Sequence, residues 1–192
     1  MRKIMFFAVL GGLIGCQSSQ ISIPNRVVDG EKEAVSFQYF QGVLMYHHEP
    51  FSGFIVKRYS SNRLQSKEGY WLGKAEGMHQ KWYENGALAE QRTYHHNQKQ
   101  GVHKGWWSNR QLRFEYQFNN DLAVGTHREW YANKQLYSLN TYDDTGRQEG
   151  TQKMWYSSGQ LKANYVIQNG RRFGLLGAKG CMGENERKTT TL

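Results

Sequence analysis

Cysteine and proline are scarce in this chain: its 192 residues hold 2 of each. Two cysteines cannot build a disulfide framework, so the fold is not held by disulfides. Two prolines against 21 glycines, with Leu, Ile and Val thin beside a 14% aromatic share, exclude a packed helical bundle and favour many short strands and turns. The apolar run from Ile4 to Ile14 is too short to span a membrane as a mature helix. No nucleophile with a base, no paired carboxylate and no ordered phosphate loop stands outside the repeat pattern described below. GRRFGLLGAKG at 170–180 has glycines without the strand-loop-helix context that cradles phosphate. These absences predict a non-enzyme with no cofactor. Chain length and the 38% hydrophobic share allow one ordinary domain.

What is present begins with MRKIMFFAVLGGLIGC: a basic pair, an apolar core, a small residue and a cysteine, the layout of a secretory leader. Leu13, Ile14, Gly15 and Cys16 resemble the bacterial lipobox, which implies a signal peptide over 1–15 and a mature lipoprotein anchored through Cys16. The alternative is a conventional leader cut nearby; either way the protein is exported. Residues 16–30 then read as a lipidated tether, and Gln17 after the cysteine leans toward the outer membrane, facing the periplasm or the cell surface. Lys and Arg outnumber Asp and Glu by 25 to 16; removing Arg2 and Lys3 with the leader leaves 23 against 16, or +7. For an exported chain this excess points to anionic lipid or envelope polymer, not nucleic acid, and its even spread suits a solvated surface.

Glycines at 53, 77, 101, 125, 150 and 174 are spaced by 24, 24, 24, 25 and 24 residues. Five residues after the glycines stand Arg58, Trp82, Trp106, Trp130 and Trp155, and next to them Tyr59, Tyr83, Trp107, Tyr131 and Tyr156. A leucine follows at offset eleven (Leu64, Leu88, Leu112, Leu136, Leu161) and an aromatic at offset seventeen in four of the five units. Between aromatic pair and leucine lie Asn62-Arg63, Asn85-Gly86, Asn109-Arg110, Asn133-Lys134 and Ser158-Gly159, a composition that tolerates positive φ. Each unit is therefore a strand, a turn and a return strand. The prediction is an all-β, elongated antiparallel sheet of consecutive hairpins. A cap with a half repeat (31–52) precedes five repeats (53–173), and a C-terminal cap and loose tail (174–192) follow. The residue added in the fourth unit is placed in the loop Asp143-Asp144-Thr145-Gly146. Strict alternation puts the offset-five and offset-six aromatics on opposite faces.

The pattern G-x-x-x-x-W-Y-x-N-G-x-L, with Tyr six residues on, resembles the MORN-type repeat and in particular the variant of the bacterial YwqK-like antitoxin family. The resemblance implies an elongated hairpin sheet. It leaves the activity open, since such arrays are credited with lipid contact, protein scaffolding and toxin neutralisation.

All seven histidines sit at repeat offsets: His79, His103 and His127 at offset two, His47-His48 and His95-His96 at eighteen and nineteen. Equivalent residues of successive hairpins are about 9.6 Å apart, whereas two nitrogens sharing zinc need roughly 3.4 Å. The offset-two histidines are therefore read as packing against rings or donating to carbonyls, and each His-His pair as having too few ligands for a metal site. Glu76, Glu90, Glu115 and Glu129 are read as solvent-side or cross-strand partners of Lys and Arg. Cys181 is read as part of the C-terminal cap, the alternative being a redox or metal-relay thiol. The resulting expectation is a lipid-anchored binding or scaffold module of the cell envelope for a protein partner, immunity- or antitoxin-like in one version. Its recognition face is drawn from Trp82, Tyr83, Trp106, Trp107, Trp130, Tyr131, Trp155 and Tyr156. Direct binding of anionic lipid or envelope polymer is the alternative, and a metal-handling protein or enzyme a distant third.

Overall fold

Every periodic glycine opens a strand or lies inside one. A computed structural model describes residues 21–175; the leader, Cys16, the first residues of the tether, Cys181 and the tail from 176 lie outside the described residues. The five units form hairpins: Gly53–Arg58 with Leu64–Trp71, Gly77–Trp82 with Leu88–His95, Gly101–Trp106 with Leu112–Asn119, Leu122–Trp130 with Leu136–Tyr142, and Gln148–Trp155 with Leu161–Gln168. Arg171–Leu175 adds a further strand, so the stretch expected as the start of a C-terminal cap continues the sheet. These strands lie side by side in chain order without a crossover. The fold is the expected array of consecutive hairpins, and each unit gains its buried surface from its neighbours.

Two kinds of turn alternate. Between the strands of each repeat the chain makes a five-residue turn, as where Tyr83 N–H donates to the Ala87 carbonyl and Gly86 N–H to the Tyr83 carbonyl. The left-handed residue is the fourth of the five: Asn62, Gly86, Arg110, Lys134 or Gly159, with φ from 62° to 88°. The preceding asparagines therefore do not supply the positive φ. Asn85, Asn109 and Asn133 instead accept from the N–H two residues on through Oδ1 and donate through Nδ2 to Ser108, Ala132 and Ser157 of the next turn. Between repeats the turns shorten to two residues with paired positive φ, as at His96-Asn97 and Asn120-Asp121. The inserted residue of the fourth unit converts that connection into a five-residue turn from Asp143 to Arg147.

Within each hairpin the register slips once, immediately before the offset-five residue, at Lys57/Arg58, Lys81/Trp82, Gly105/Trp106, Glu129/Trp130 and Met154/Trp155, and between hairpins it shifts at Glu115/Gln117 and Asn140/Tyr142. The extra residue of each hairpin bulge lies on the return strand, and the offset-six aromatic stands in the turn one step past the strand end, so strand alternation does not govern the aromatic pair.

Two N-terminal expectations are corrected. Val27–Asp29, read as tether, is a strand that pairs in parallel with Phe54, Ile55 and Val56, and Val28 is buried. The half repeat is a separate three-stranded sheet of Phe37–Phe40, Val43–Tyr46 and Glu49–Pro50. It closes the open end of the array over a core of Val28, Leu44, Phe51, Ile55 and Tyr70, while the Arg26 guanidinium lies 4.7 Å from the Tyr46 ring centre. The valine pair and the register of Ile55 and Val56 explain the correction: an apolar Val27-Val28 step covers an edge that would otherwise stay unpaired.

Candidate recognition groove

The offset-two row is the spine of the sheet. His103, His127 and Gln152 are buried, and Ile55 takes the same position in the first unit. His79, His103 and His127 place Nε2 at 2.8, 2.9 and 2.8 Å from the carbonyls of Gly69, Thr93 and Gln117, each sixteen residues into the preceding repeat. Gln152 places its side-chain Nε2 on the equivalent carbonyl of Thr141 at 2.9 Å. A carbonyl only accepts, so the imidazoles carry hydrogen on Nε2. The rings alternate with the offset-seventeen aromatics in one stack: Tyr70, His79, Tyr94, His103, Phe118, His127 and Tyr142, with successive centres 4.6–5.7 Å apart. Burial holds all three imidazoles below their ordinary protonation range. This ladder is structural, with Nε2 of each imidazole already committed to a carbonyl.

The offset-six aromatics are also tied into the frame. Tyr59, Tyr83 and Tyr131 donate their hydroxyls, and Trp107 its indole N–H, to the carbonyl of the offset-five tryptophan in the next repeat: Trp82, Trp106, Trp155 and Trp130 respectively. Most of the proposed recognition aromatics are half-buried, and Tyr156 is exposed. They do not form a single continuous face. Trp107, Trp130 and Tyr131 line a groove of about 570 Å³, whereas Trp82 and Tyr83 line a smaller one of about 360 Å³. Trp106, Trp155 and Tyr156 lie outside both. Adjacent aromatics share a groove because the offset-six residue opens the turn, past the end of the strand that the offset-five residue closes.

The larger groove also recruits residues that periodicity did not single out, among them Arg92, Lys99, Arg113, Tyr116 and Tyr137, together with Glu129. Phe114 and Tyr116 stack at 4.7 Å on its floor. Burial, and then the nearby Glu129 carboxylate, raise the Tyr116 phenol, so it stays a neutral hydrogen-bond donor. Glu90 holds Arg92 at 2.9 Å and Arg113 at 2.8 Å. Arg113 borders both grooves and lies 5.6 Å from the Trp107 ring. The Arg92 Nε is buried without a hydrogen-bond partner among the described residues. The groove thus combines rigid aromatic walls with guanidinium groups already oriented by a shared carboxylate. It suits a ligand offering an apolar or aromatic face and an acceptor or negative charge.

The acids divide. Glu90 and Glu115 are cross-strand ion-pair partners as expected, Glu115 reaching Lys104 at 3.0 Å and Arg128 at 3.6 Å. Glu76 departs from that expectation: it is buried and faces His95 and His96, not a lysine or arginine. Glu76, His95 and His96 bring three metal-competent side chains together, where the sequence pattern offered the histidine pair alone.

Comparison with known proteins bears on the repeat. The family model described as MORN repeat variant matches residues 75–96, 123–144 and 148–167, which fall on the second, fourth and fifth hairpins. The chain carries MORN-type repeats. No curated protein matches it. Among solved structures, it is similar over 52% of its length to a mutant of S. aureus TarM in complex with fondaparinux, alpha-GlcNAc-glycerol and UDP, at 13% identity and a TM-score of 0.32. A second TarM structure gives 14% identity and 0.31 over the same share. The chain spans 20% of either TarM structure, and likeness at that level carries no functional argument. The MORN-type array accounts for the sheet and leaves the groove as its candidate site.

Proposed function

We propose that this MORN-type protein is a non-catalytic binding module of the cell envelope, anchored through lipid on Cys16, whose larger groove holds a protein partner. The observation that carries the reading is the clustering of Trp107, Trp130, Tyr131 and Tyr137 with Arg92 and Arg113 in one concavity. Aromatic and arginine side chains concentrate binding energy at protein interfaces. Trp107 and Tyr131 are pre-positioned by their bonds to neighbouring repeats, which lowers the ordering cost of association. The favoured partner presents an acidic and aromatic or aliphatic segment. An immunity role against an envelope-acting toxin fits both the antitoxin resemblance and export. Ten residues separate Cys16 from Val27, so an acylated chain would keep the array within about 35 Å of the bilayer, facing the periplasm or the cell surface.

Arg92, Lys99 and Arg113 in the same groove favour a second reading, in which the ligand is an anionic lipid head group or envelope polymer. Affinity capture from envelope extracts separates the readings. The first expects a discrete protein retained by the wild type and lost with Arg113→Ala and Tyr137→Ala, in variants that melt like the wild type. Capture that ignores both substitutions overturns it. Salt-sensitive flotation with anionic liposomes by a form lacking Cys16, and no captured protein, supports the second.

A further inference from the structure

We propose that His95 and His96, oriented by Glu76, form a divalent transition-metal site at the turn that closes the second repeat. Just before three other repeat glycines a side chain accepts the N–H of a turn residue, Val124 before Gly125 being the exception: Ser52 from Leu72, Gln100 from Asn120 and Glu149 from Asn169. Glu76 does the same, taking the His96 N–H on Oε2 at 2.9 Å. That duty needs one acceptor atom. The second oxygen, Oε1, lies 3.0 Å from His95 Nδ1.

A carboxylate oxygen only accepts, so the His95 proton sits on Nδ1 and the lone pair of Nε2 points away from Glu76. It faces His96 Nδ1 at 3.0 Å. A carboxylate behind one imidazole nitrogen, with the other nitrogen free, is the arrangement that orients a metal-binding histidine and raises its basicity. Two nitrogens bound to one tetrahedral ion at about 2.0–2.1 Å stand about 3.4 Å apart, so the pair has to open by only a few tenths of an ångström. Both histidine side chains are exposed and free to make that adjustment. On binding, His96 moves its ring proton from Nδ1 to Nε2 and gives the Nδ1 lone pair to the cation. His95 gives Nε2 and keeps its Nδ1 proton on Glu76.

The backbone beneath is fixed. Asn97 N–H donates to the Ala75 carbonyl at 2.9 Å, its Oδ1 accepts from Ala75 N–H, and its Nδ2 donates to Gly42 in the N-terminal cap at 3.1 Å. Two imidazole donors with open positions select copper, nickel or zinc over magnesium or calcium. The exposed side leaves room for water or a donor from another molecule. The remaining histidines differ: the offset-two row is committed to carbonyls, and among the described residues no such three-ligand group includes His47 and His48.

The test is calorimetric titration of the mature chain, purified without a histidine tag and with Cys16→Ser and Cys181→Ser to remove thiols, using CuCl2 and then ZnCl2. One equivalent is expected to bind, with copper tighter than zinc. Glu76→Gln keeps an acceptor for the His96 N–H and the wild-type melt, yet weakens binding by about tenfold or more. His95→Ala with His96→Ala abolishes this binding, whereas His47→Ala with His48→Ala leaves it unchanged. Copper paramagnetic resonance should show two coupled nitrogens. A wild-type chain that takes up neither metal, or a His95/His96 double variant that binds like the wild type, overturns the proposal.

Discussion

His103 Nε2 donates to the carbonyl of Thr93 at 2.9 Å, and in the fifth repeat Gln152 makes the same bond to Thr141 with an amide. One backbone acceptor therefore recurs down the sheet, and two chemically different side chains satisfy it. His103→Gln should leave stability close to wild type, while His103→Leu removes one of the two bonds the Thr93 carbonyl accepts, the Gln100 N–H remaining, and costs about 1 kcal/mol. Urea unfolding of the two variants distinguishes a structural histidine from a functional one.

Acid should loosen the ladder. Burial holds His79, His103 and His127 below the ordinary imidazole range, whereas the unfolded chain titrates near 6.5. Below that pH the unfolded state takes up protons that the folded state refuses, so the stabilisation is complete above about pH 6.5 and is lost as pH falls. Melting temperature followed from about pH 8 to 5 should hold and then decline, and the triple His→Gln variant at 79, 103 and 127 should flatten the decline. Asp29 and Asp143, held low mainly by turn N–H groups and the Thr145 hydroxyl, act in a separate, more acidic window.

Gly105 faces Phe114 so closely that a Cβ there would run into the ring. Other repeats place Lys57, Lys81, Glu129 or Met154 at this offset, each opposite a residue other than Phe within its own hairpin. Gly105→Ala should destabilise by about 1–3 kcal/mol and displace the Phe114–Tyr116 stack. A double variant with Phe114→Ala should recover part of the loss from overpacking, as a thermal double-mutant cycle would show.

Tyr131→Phe removes the bond to the Trp155 carbonyl and should cost about 1 kcal/mol. Trp107→Tyr should be better tolerated, because tyrosine hydroxyls make the equivalent bond at positions 59, 83 and 131. Thermal melts of both variants check the order.

Deleting residues 101–124 removes one whole period and joins Gln100 to Gly125 in the same register. The shortened chain should fold with lower stability and lose partner capture while keeping the copper site. Deleting residues 101–112 instead joins half-units out of phase and should abolish cooperative unfolding. Circular dichroism melts with copper titration separate these outcomes.

The period, the hairpin character and the site of the inserted residue were legible because each comes from local chemistry repeated five times. Glycine spacing fixed the register, and one composition-marked loop absorbed the extra residue. Face assignment failed at Trp82-Tyr83 and Trp130-Tyr131 because each tyrosine opens a turn, outside the strand whose two-residue alternation the assignment assumes. Arg92 and Arg113 were hidden since each reads singly as a solvated charge; only strand pairing shows Glu90 gathering both. Glu76 was misplaced for the same reason: its meaning depends on a turn nineteen residues away.

Strands laid side by side in chain order also determine how the array would respond to force. A pull on the last described strand, Arg171–Leu175, meets the hydrogen bonds of a single ladder at a time and opens the sheet like a zipper. Each repeat released would lengthen the chain by about 80 Å, from 24 residues at roughly 3.3–3.6 Å each. The N-terminal end is closed differently, by a parallel strand and a second small sheet, so among the described strands the sheet would open under load from Arg171–Leu175 first.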